Sequence, residues 1–432
     1  MSEQLHLRPS PAAPAVTRPQ GRLLLPTSLA FYLQASIVVF FLAASSASTP
    51  LYALYQREWG FSAITTTIIF GVYAVAVLIA LLVFGSLSDH IGRRPVLLTA
   101  IAVQALMMIG YATATGVPEL LAIRVVQGLA TGAAIAAVGA GMLDISRARG
   151  TLANSLAAPI GTGLGSIASG VLVQYLPAPT RLVYLVLLVI FVLQGLGVAL
   201  MRETADLGTG ARRTDAITSL RVSFSVPRGV RSALLVAAPI LLAAWALAGF
   251  YGSLGPSIVR NLTGQSSPVQ GGLPLFVLAI AGAAAVAVLR SAGPRTVMSA
   301  GAAALVTGVG ITLIGMRTGS PATFFAGTAV AGFGFGAGFQ GAVRSVVPLA
   351  GPQERAGVLS IIYVISYLAL GLPAVIAGFL VVHGGGVIPT SLEYGVAVMV
   401  LAALALLGSL AGRRRSGDQD PAVVTSPATS RA

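Results

Sequence analysis

Cysteine is absent from the 432 residues, which excludes a disulfide framework and any thiolate metal site. Lysine is absent as well, so all 26 basic residues are arginine. A glycine-rich phosphate loop needs its lysine, and nucleotide-driven work through such a loop is therefore excluded. Histidine occurs only as His6, His90 and His383, scattered along the chain. A membrane enzyme would be expected to gather histidines or acids near one interface. Acidic residues number 12 and charged residues of both signs make up 9% of the chain, against about a quarter in a soluble globular domain. So few charges cannot cover a soluble core with a polar surface. Hydrophobic residues reach 56% and glycine 51 positions, and small residues let helices approach closely in lipid. The formal charge of +14 would point to nucleic acid in a soluble protein. Here the arginines bracket apolar runs instead, so lipid is the expected partner, with no nucleic acid, metal or cofactor.

A bilayer core needs about 20 apolar residues per helix. Twelve such stretches run approximately over 28–48, 64–84, 95–115, 119–143, 153–173, 182–201, 231–254, 273–289, 297–316, 321–349, 356–382 and 392–411. The first is longer than a signal-peptide core and is read as a span, although Ala44-Ser45-Ser46-Ala47-Ser48 looks like a cleavage site. With the N-terminus inside, only Arg57, Arg181, Arg260 and Arg317 fall outside, and Arg124 and Arg344 lie within spans. Every other arginine is then internal, as the positive-inside rule requires of loops near span ends. Both termini are expected in the cytoplasm and the protein in the cell's inner (plasma) membrane.

The longest internal connection, 202–230, is polar and arginine-rich and divides six spans (28–201) from six (231–412). The halves echo each other. Gly92-Arg93-Arg94-Pro95-Val96-Leu97 follows the second span as Gly293-Pro294-Arg295-Thr296-Val297-Met298 follows the eighth. Gly128-Leu129-Ala130-Thr131-Gly132-Ala133 in the fourth matches Gly332-Phe333-Gly334-Phe335-Gly336-Ala337 in the tenth. Parallel halves related about the membrane normal are a transporter arrangement. Residues 1–27 and 413–432 have no apolar periodicity and read as disordered cytoplasmic tails.

The most specific stretch is Gly85-Ser86-Leu87-Ser88-Asp89-His90-Ile91-Gly92-Arg93-Arg94. It resembles the loop signature of the major facilitator superfamily, G-x-L-x-D-x-x-G-R-[RK], at the family's position between spans two and three. Gly85 permits a close helix crossing, Asp89 suits a helix N-terminus, Gly92 a turn, and Arg93 an acid nearby. Asp144, at the inner end of span four, is one such acid; it could accept Arg93 or Arg147. The resemblance implies that Gly85, Asp89, Gly92, Arg93, Arg94 and Asp144 latch the two halves in the outward-open state.

Span four, Leu120-Leu121-Ala122-Ile123-Arg124-Val125-Val126-Gln127-Gly128, is similar to the family's L-x-x-x-R-x-x-Q-G, found in proton-coupled members. Arg124 either faces a polar cavity or snorkels to the interface near Glu119; Gln127 and Gly128 complete the pattern and favour the cavity. Arg124, Gln127, Gly128 and Glu119 are the candidates for coupling and transport. Span five keeps Pro159 and Gly163 of the antiporters' G-P-x-x-G-G but has Ala158 and Thr162 in place of the other two. No acid lies in the middle of a span, so proton coupling comes from the resemblance rather than from a carboxylate.

The resemblance implies an all-α fold of two pseudo-symmetric six-helix halves around a cavity lined by spans one, four, seven and ten. Gln34, Trp245, Tyr251 and Gln340 are candidates there, with Tyr363 and Tyr367 sharing a face of span eleven. Tyr52, Tyr55, Trp59 and Tyr251 could instead be interfacial anchors. The implied function is secondary active transport by a monomer, most directly proton-coupled efflux of a small organic molecule, as in drug antiporters. The alternatives are uptake of a sugar or metabolite and, more distantly, a non-transporting receptor or enzyme. A strongly cationic substrate would find no counter-charge.

Overall fold

The computed structural model describes residues 25–205, 227–351 and 353–417. All regular structure among them is helical. The elements are α1 (Thr27–Ser46), α2 (Tyr52–Trp59), α3 (Ala63–Phe84), α4 (Leu87–Ile91), α5 (Arg93–Thr113), α6 (Val117–Ile145), α7 (Arg147–Tyr175) and α8 (Leu182–Ala199). The second half comprises α9 (Arg228–Thr263), α10 (Pro268–Val288), α11 (Pro294–Thr318), α12 (Pro321–Val346), α13 (Arg355–His383) and α14 (Val387–Gly417). Twelve of these are long and apolar enough to cross a membrane; α2 and α4 are not among them. The tail expected over 1–27 lies almost wholly outside the described residues, as do residues 206–226 of the linker expected over 202–230. So does the end of the tail expected from 413, but α14 continues to Gly417.

Helix ends follow local chemistry. Proline opens α6, α10, α11 and α12, where its missing N–H costs nothing. Ser267 and Ser320 cap α10 and α12 by accepting from the amides of Gln270 and Thr323, both at 3.3 Å. Several helices overrun the apolar stretch that signals them. α9, at 36 residues, is about 54 Å long by helix rise, well beyond a hydrocarbon core of about 30 Å. Its ends must stand in water or headgroups.

Glycine sets the tightest packing. Gly301, Gly308 and Gly315 on α11 abut the α12 backbone at Ala337–Gly338, Val330–Ala331 and Thr323–Phe324, while Gly327, Gly334 and Gly341 on α12 abut Thr312, Leu305 and Met298. A side chain at any of them would collide with main chain, so these two helices are in backbone contact along their length. In the first half, a Cβ on Gly128 or Gly132 of α6 would lie 2.6 Å from that of Ala76 or Ala80 on α3. Each half buries its own apolar cluster, one built on Ile37, Phe41 and Phe191, the other on Ile240, Leu254 and Phe324.

The halves meet mainly through α3 against α13 and α7 against α10. The residues in contact are specific: Gly71 faces Val375 and Gly371, Thr67 faces Gly378, Phe70 faces Gly252, and Gly163 faces Ile280. Thr49 donates to the Gly252 carbonyl at 3.1 Å, Ser166 to that of Gly272 at 2.9 Å, and Ser267 to Gln174 Oε1 at 2.6 Å. Apart from the Gly163–Ile280 contact near mid-helix, these positions occupy the starts of α3 and α10, the later parts of α7, α9 and α13 and the turn before α2. They therefore gather at the molecular end away from the Gly85–Arg94 loop. We call this the far end and the other the loop end.

Candidate functional site

At the loop end, Gly92 takes φ +99°, a left-handed conformation that favours glycine, and turns α4 into α5. Arg93 is 7% exposed and is held from three sides. It pairs with Asp89, donates from NH1 to Ser88 Oγ at 2.6 Å, and reaches Asp144 with Nε at 3.3 Å from Oδ2. Asp144 thus serves Arg93. Arg94 donates to the Ala199 carbonyl at the end of α8. Asp89 pairs with Arg93 instead of capping a neighbouring helix. The capping carboxylate is Glu203, whose oxygens accept the amides of Arg93 at 2.8 Å and Arg94 at 3.0 Å. A carboxylate at that place complements the α5 dipole. In sequence, Glu203 falls in the polar connection 202–230. The loop, α5, the end of α6 and the residues after α8 are thereby tied together within the first half. α4 packs on α3 and α5, and α5 on α6 and α8.

Arg124 is the largest fully buried side chain, 1% exposed. Snorkelling is excluded. Its NH1 donates to the Ser45 carbonyl at 3.0 Å and to Gln127 Oε1 at 3.1 Å; its NH2 donates to Ser48 Oγ and to Tyr52 Oη, the latter at 2.6 Å. The guanidinium also lies over the rings of Tyr73, Tyr52 and Tyr111, at 5.2, 5.8 and 5.8 Å. Behind them Tyr111 stacks on Tyr184 at 4.7 Å and donates to Gln127 Oε1 at 2.8 Å, and Tyr184 and Tyr55 share a hydroxyl contact of 3.2 Å. No carboxylate among the described residues comes within ion-pair distance of Arg124. Burial pushes the Tyr55 phenol up to about 12, so this tyrosine supplies no negative charge at neutral pH. The cage answers a buried cation with dipoles and aromatic faces alone. Arg124 Nε and Gln127 Nε2 stay unpartnered.

Tyr52 and Tyr55, expected as candidate interfacial anchors, are each 2% exposed and wall this cage. Helix α2 carries them on its inner face. Glu119 forms no ion pair with Arg124 and binds Thr115 just before α6, accepting its amide at 2.6 Å. Gly128 is pressed against Tyr73 and Ala76, which lets Tyr73 reach over the guanidinium.

The cavity candidates separate. Trp245 packs against Tyr367, Phe339 and Phe335 with ring centroids at 5.1, 5.4 and 6.3 Å, and its indole Nε1 has no partner. Gln340 places Nε2 3.5 Å from the Val286 carbonyl and leaves Oε1 unpartnered. Tyr363 lies one turn before Tyr367 on α13. Gln34 is fully buried in the first half, against Met201 and Gly141, and Tyr251 is buried in the second, sharing a 3.1 Å contact with Thr328 Oγ1. Tyr251 also lines a small apolar cavity inside the second half with Phe250, Thr312 and Tyr394. Pro159 stands inside an unbroken α7, and Gly163 faces α10.

The sequence profile described as Major Facilitator Superfamily matches residues 35–292. No curated protein matches the chain by sequence. Solved structures do match in shape. The nucleoside transporter NupG is 11% identical with a TM-score of 0.66, over 90% of this chain and 99% of its own. The human organic anion transporter MFSD10 (TETRAN) is 18% identical with a TM-score of 0.64, over 89% and 99%. A bacterial homolog to the human lysosomal transporter Spinster, inward-facing and occupied, is 14% identical with a TM-score of 0.68, over 89% and 97%. At these identities the likeness is one of fold.

Proposed function

The chain belongs to the major facilitator superfamily, and on that premise we propose that it exports a small organic molecule by alternating access, driven by proton entry. The family and its fold are those of transporters rather than enzymes, and the twelve helices make a multi-pass membrane protein. The observation that carries the reading is the way the halves meet: they interlock at the far end, while the loop-end network of Arg93, Asp89, Asp144 and Glu203 closes on itself inside the first half. Two rigid bodies hinged in this way can rock about a central site. The arginine distribution supports a cytoplasmic loop end and an outer far end, and with the halves interlocked at the far end this reading takes the arrangement as inward-open, in the plasma membrane. Asp89 and Arg93 are then the pair that re-forms contacts with the second half when the molecule opens outward.

The central site in this reading lies between the Arg124 cage and the Trp245–Tyr367 aromatic group, on either side of the α3–α13 contact of Gly71 and Ala74 with Gly371. Gln127, Gln340 and Trp245 offer polar atoms that lack partners. The substrate is neutral or anionic, because the cage already holds an uncompensated positive charge. The Pro159–Gly163 motif supports the direction of export.

The test begins with a thermal-shift screen of organic compounds on the purified protein, since ligands of the folded state raise its melting temperature. Hits are then loaded into proteoliposomes with an imposed pH gradient. Movement against the hit's own gradient, abolished by a protonophore, is the expected result. Movement only down its gradient and indifferent to pH would replace this reading with facilitated uptake.

A further inference from the structure

Between the halves at the far end lies a cavity of about 170 Å³, walled by Leu54, Arg57 and Val173 of the first half and by Pro256, Arg260 and Gln270 of the second. Its chemistry is one-sided. Arg57 stands on α2 and Arg260 on α9, so each half contributes one guanidinium. Neither has a carboxylate within ion-pair distance among the described residues, and none lines the cavity. The first turn of α10, from Pro268, forms part of the wall; its amides are already taken by Gln174 and Ser267, so the two guanidiniums supply the cavity's positive charge. The rest of the lining is largely aliphatic and proline.

Each arginine also sits in the last turn of its own helix, where it complements that helix's dipole. The dipoles do not account for the two cations overlooking one cavity from opposite halves. We propose that this vestibule binds a small organic monoanion, a carboxylate or similar group on an apolar body, and that the bound anion holds the far end shut. The anion lies between the two guanidiniums and its body against the aliphatic wall. Separation of the halves would pull the arginines apart, so the anion favours the far-end-closed conformer through its differential affinity for the two states. The site is separate from the Arg124 cage, because α2 turns Tyr52 and Tyr55 toward the cage and Leu54 and Arg57 toward the vestibule. The proposal concerns a ligand reached from the far side and stands whatever the cargo is.

The test uses the full chain in phosphatidylcholine nanodiscs at low ionic strength, with benzoate as probe and benzamide as its neutral counterpart. Benzoate should raise the melting temperature and benzamide should not. Arg57→Gln and Arg260→Gln should each weaken benzoate roughly tenfold or more, the scale of one charge-assisted hydrogen bond. Spin labels on Thr151→Cys and Ala356→Cys, exposed at the loop end of the two halves, should report a population shifted by benzoate toward wider separation, and no shift in Arg57→Gln. Phosphatidylglycerol nanodiscs distinguish the source of the anion. If that lipid stabilises the protein in benzoate's place and does so through both arginines, the anionic group comes from a headgroup and the site stands. Stabilisation by benzoate that survives both substitutions, equal stabilisation by benzamide, or none from either anion overturns the proposal. None of these outcomes bears on whether the protein transports.

Discussion

Replacing Arg124 by methionine should leave folding nearly intact and abolish transport, whereas the milder change Tyr52→Phe should destabilise the fold. The reasoning turns on what each change leaves behind. Arg124 donates to four neutral oxygens, those of Ser45, Ser48, Tyr52 and Gln127. Hydrogen bonds to a charged group contribute about 1.5–3 kcal/mol each, but desolvating an unpaired buried ion costs several kcal/mol. Methionine removes both terms and leaves no charge. The orphaned groups can re-pair, since Tyr111 already donates to Gln127 and Ser48 already lies 3.5 Å from Tyr52 Oη. The net change is then close to zero. Tyr52→Phe keeps the cation and removes one acceptor, at a cost of about 1.5–3 kcal/mol. The assay is thermal melting of the purified variants by intrinsic fluorescence, paired with flux in proteoliposomes. The reasoning is refuted if Arg124→Met melts below Tyr52→Phe, or if it transports at the wild-type rate.

Asp89→Asn should slow transport while expression and melting stay unchanged, because Arg93 keeps Asp144 and Ser88; flux and yield measured on the same membranes check it. Glu203→Gln removes the charged cap of α5 and should lower stability by about 0.5–2 kcal/mol, the usual scale of a lost cap, seen as a lower melting temperature. Gly378→Val forces a side chain against Thr67 and should bias the molecule away from the far-end-closed state. The cysteine-free chain allows that to be read by labelling a single cysteine introduced at Thr49, which should react faster in the Gly378→Val background.

The twelve crossings were legible because each needs only an apolar run of bilayer length, a property of neighbours in sequence. The loop signature was legible for the same reason: Asp89, Gly92 and Arg93 act within one turn of each other. What the sequence did not display was tertiary. Glu203 reaches Arg93 across 110 positions, and nothing local separates a capping acid from a solvated one. Tyr52 and Tyr55 stand near the end of an apolar run, where an interfacial anchor and a core tyrosine read alike; only the position of α2 decides. Arg124 showed itself as a charge within a span, but its partners come from α1, α2, α3 and α5, and the lack of any carboxylate among them is visible only in the folded chain.

The two halves share a scaffold but hold their corresponding loops with different chemistry. In the first, the turn after α3 is fastened by charges: Arg93 to Asp89 and Asp144, Glu203 to the start of α5. In the second, Arg344, near the end of α12 as Asp144 is near the end of α6, donates to the Ala292 carbonyl at 2.8 Å and lies 3.5 Å from that of Leu289. It caps the end of α10 with a cation, the favourable sign there, and the turn Gly293–Met298 contains no acid. A guanidinium on main-chain carbonyls has no side-chain partner to lose. The carboxylates of the first-half turn can exchange Arg93 for other donors. If the halves rock, the second loop is therefore the fixed joint and the first the switch. Neutralising Arg344 should lower stability, while neutralising Asp89 should alter the balance between the two open states.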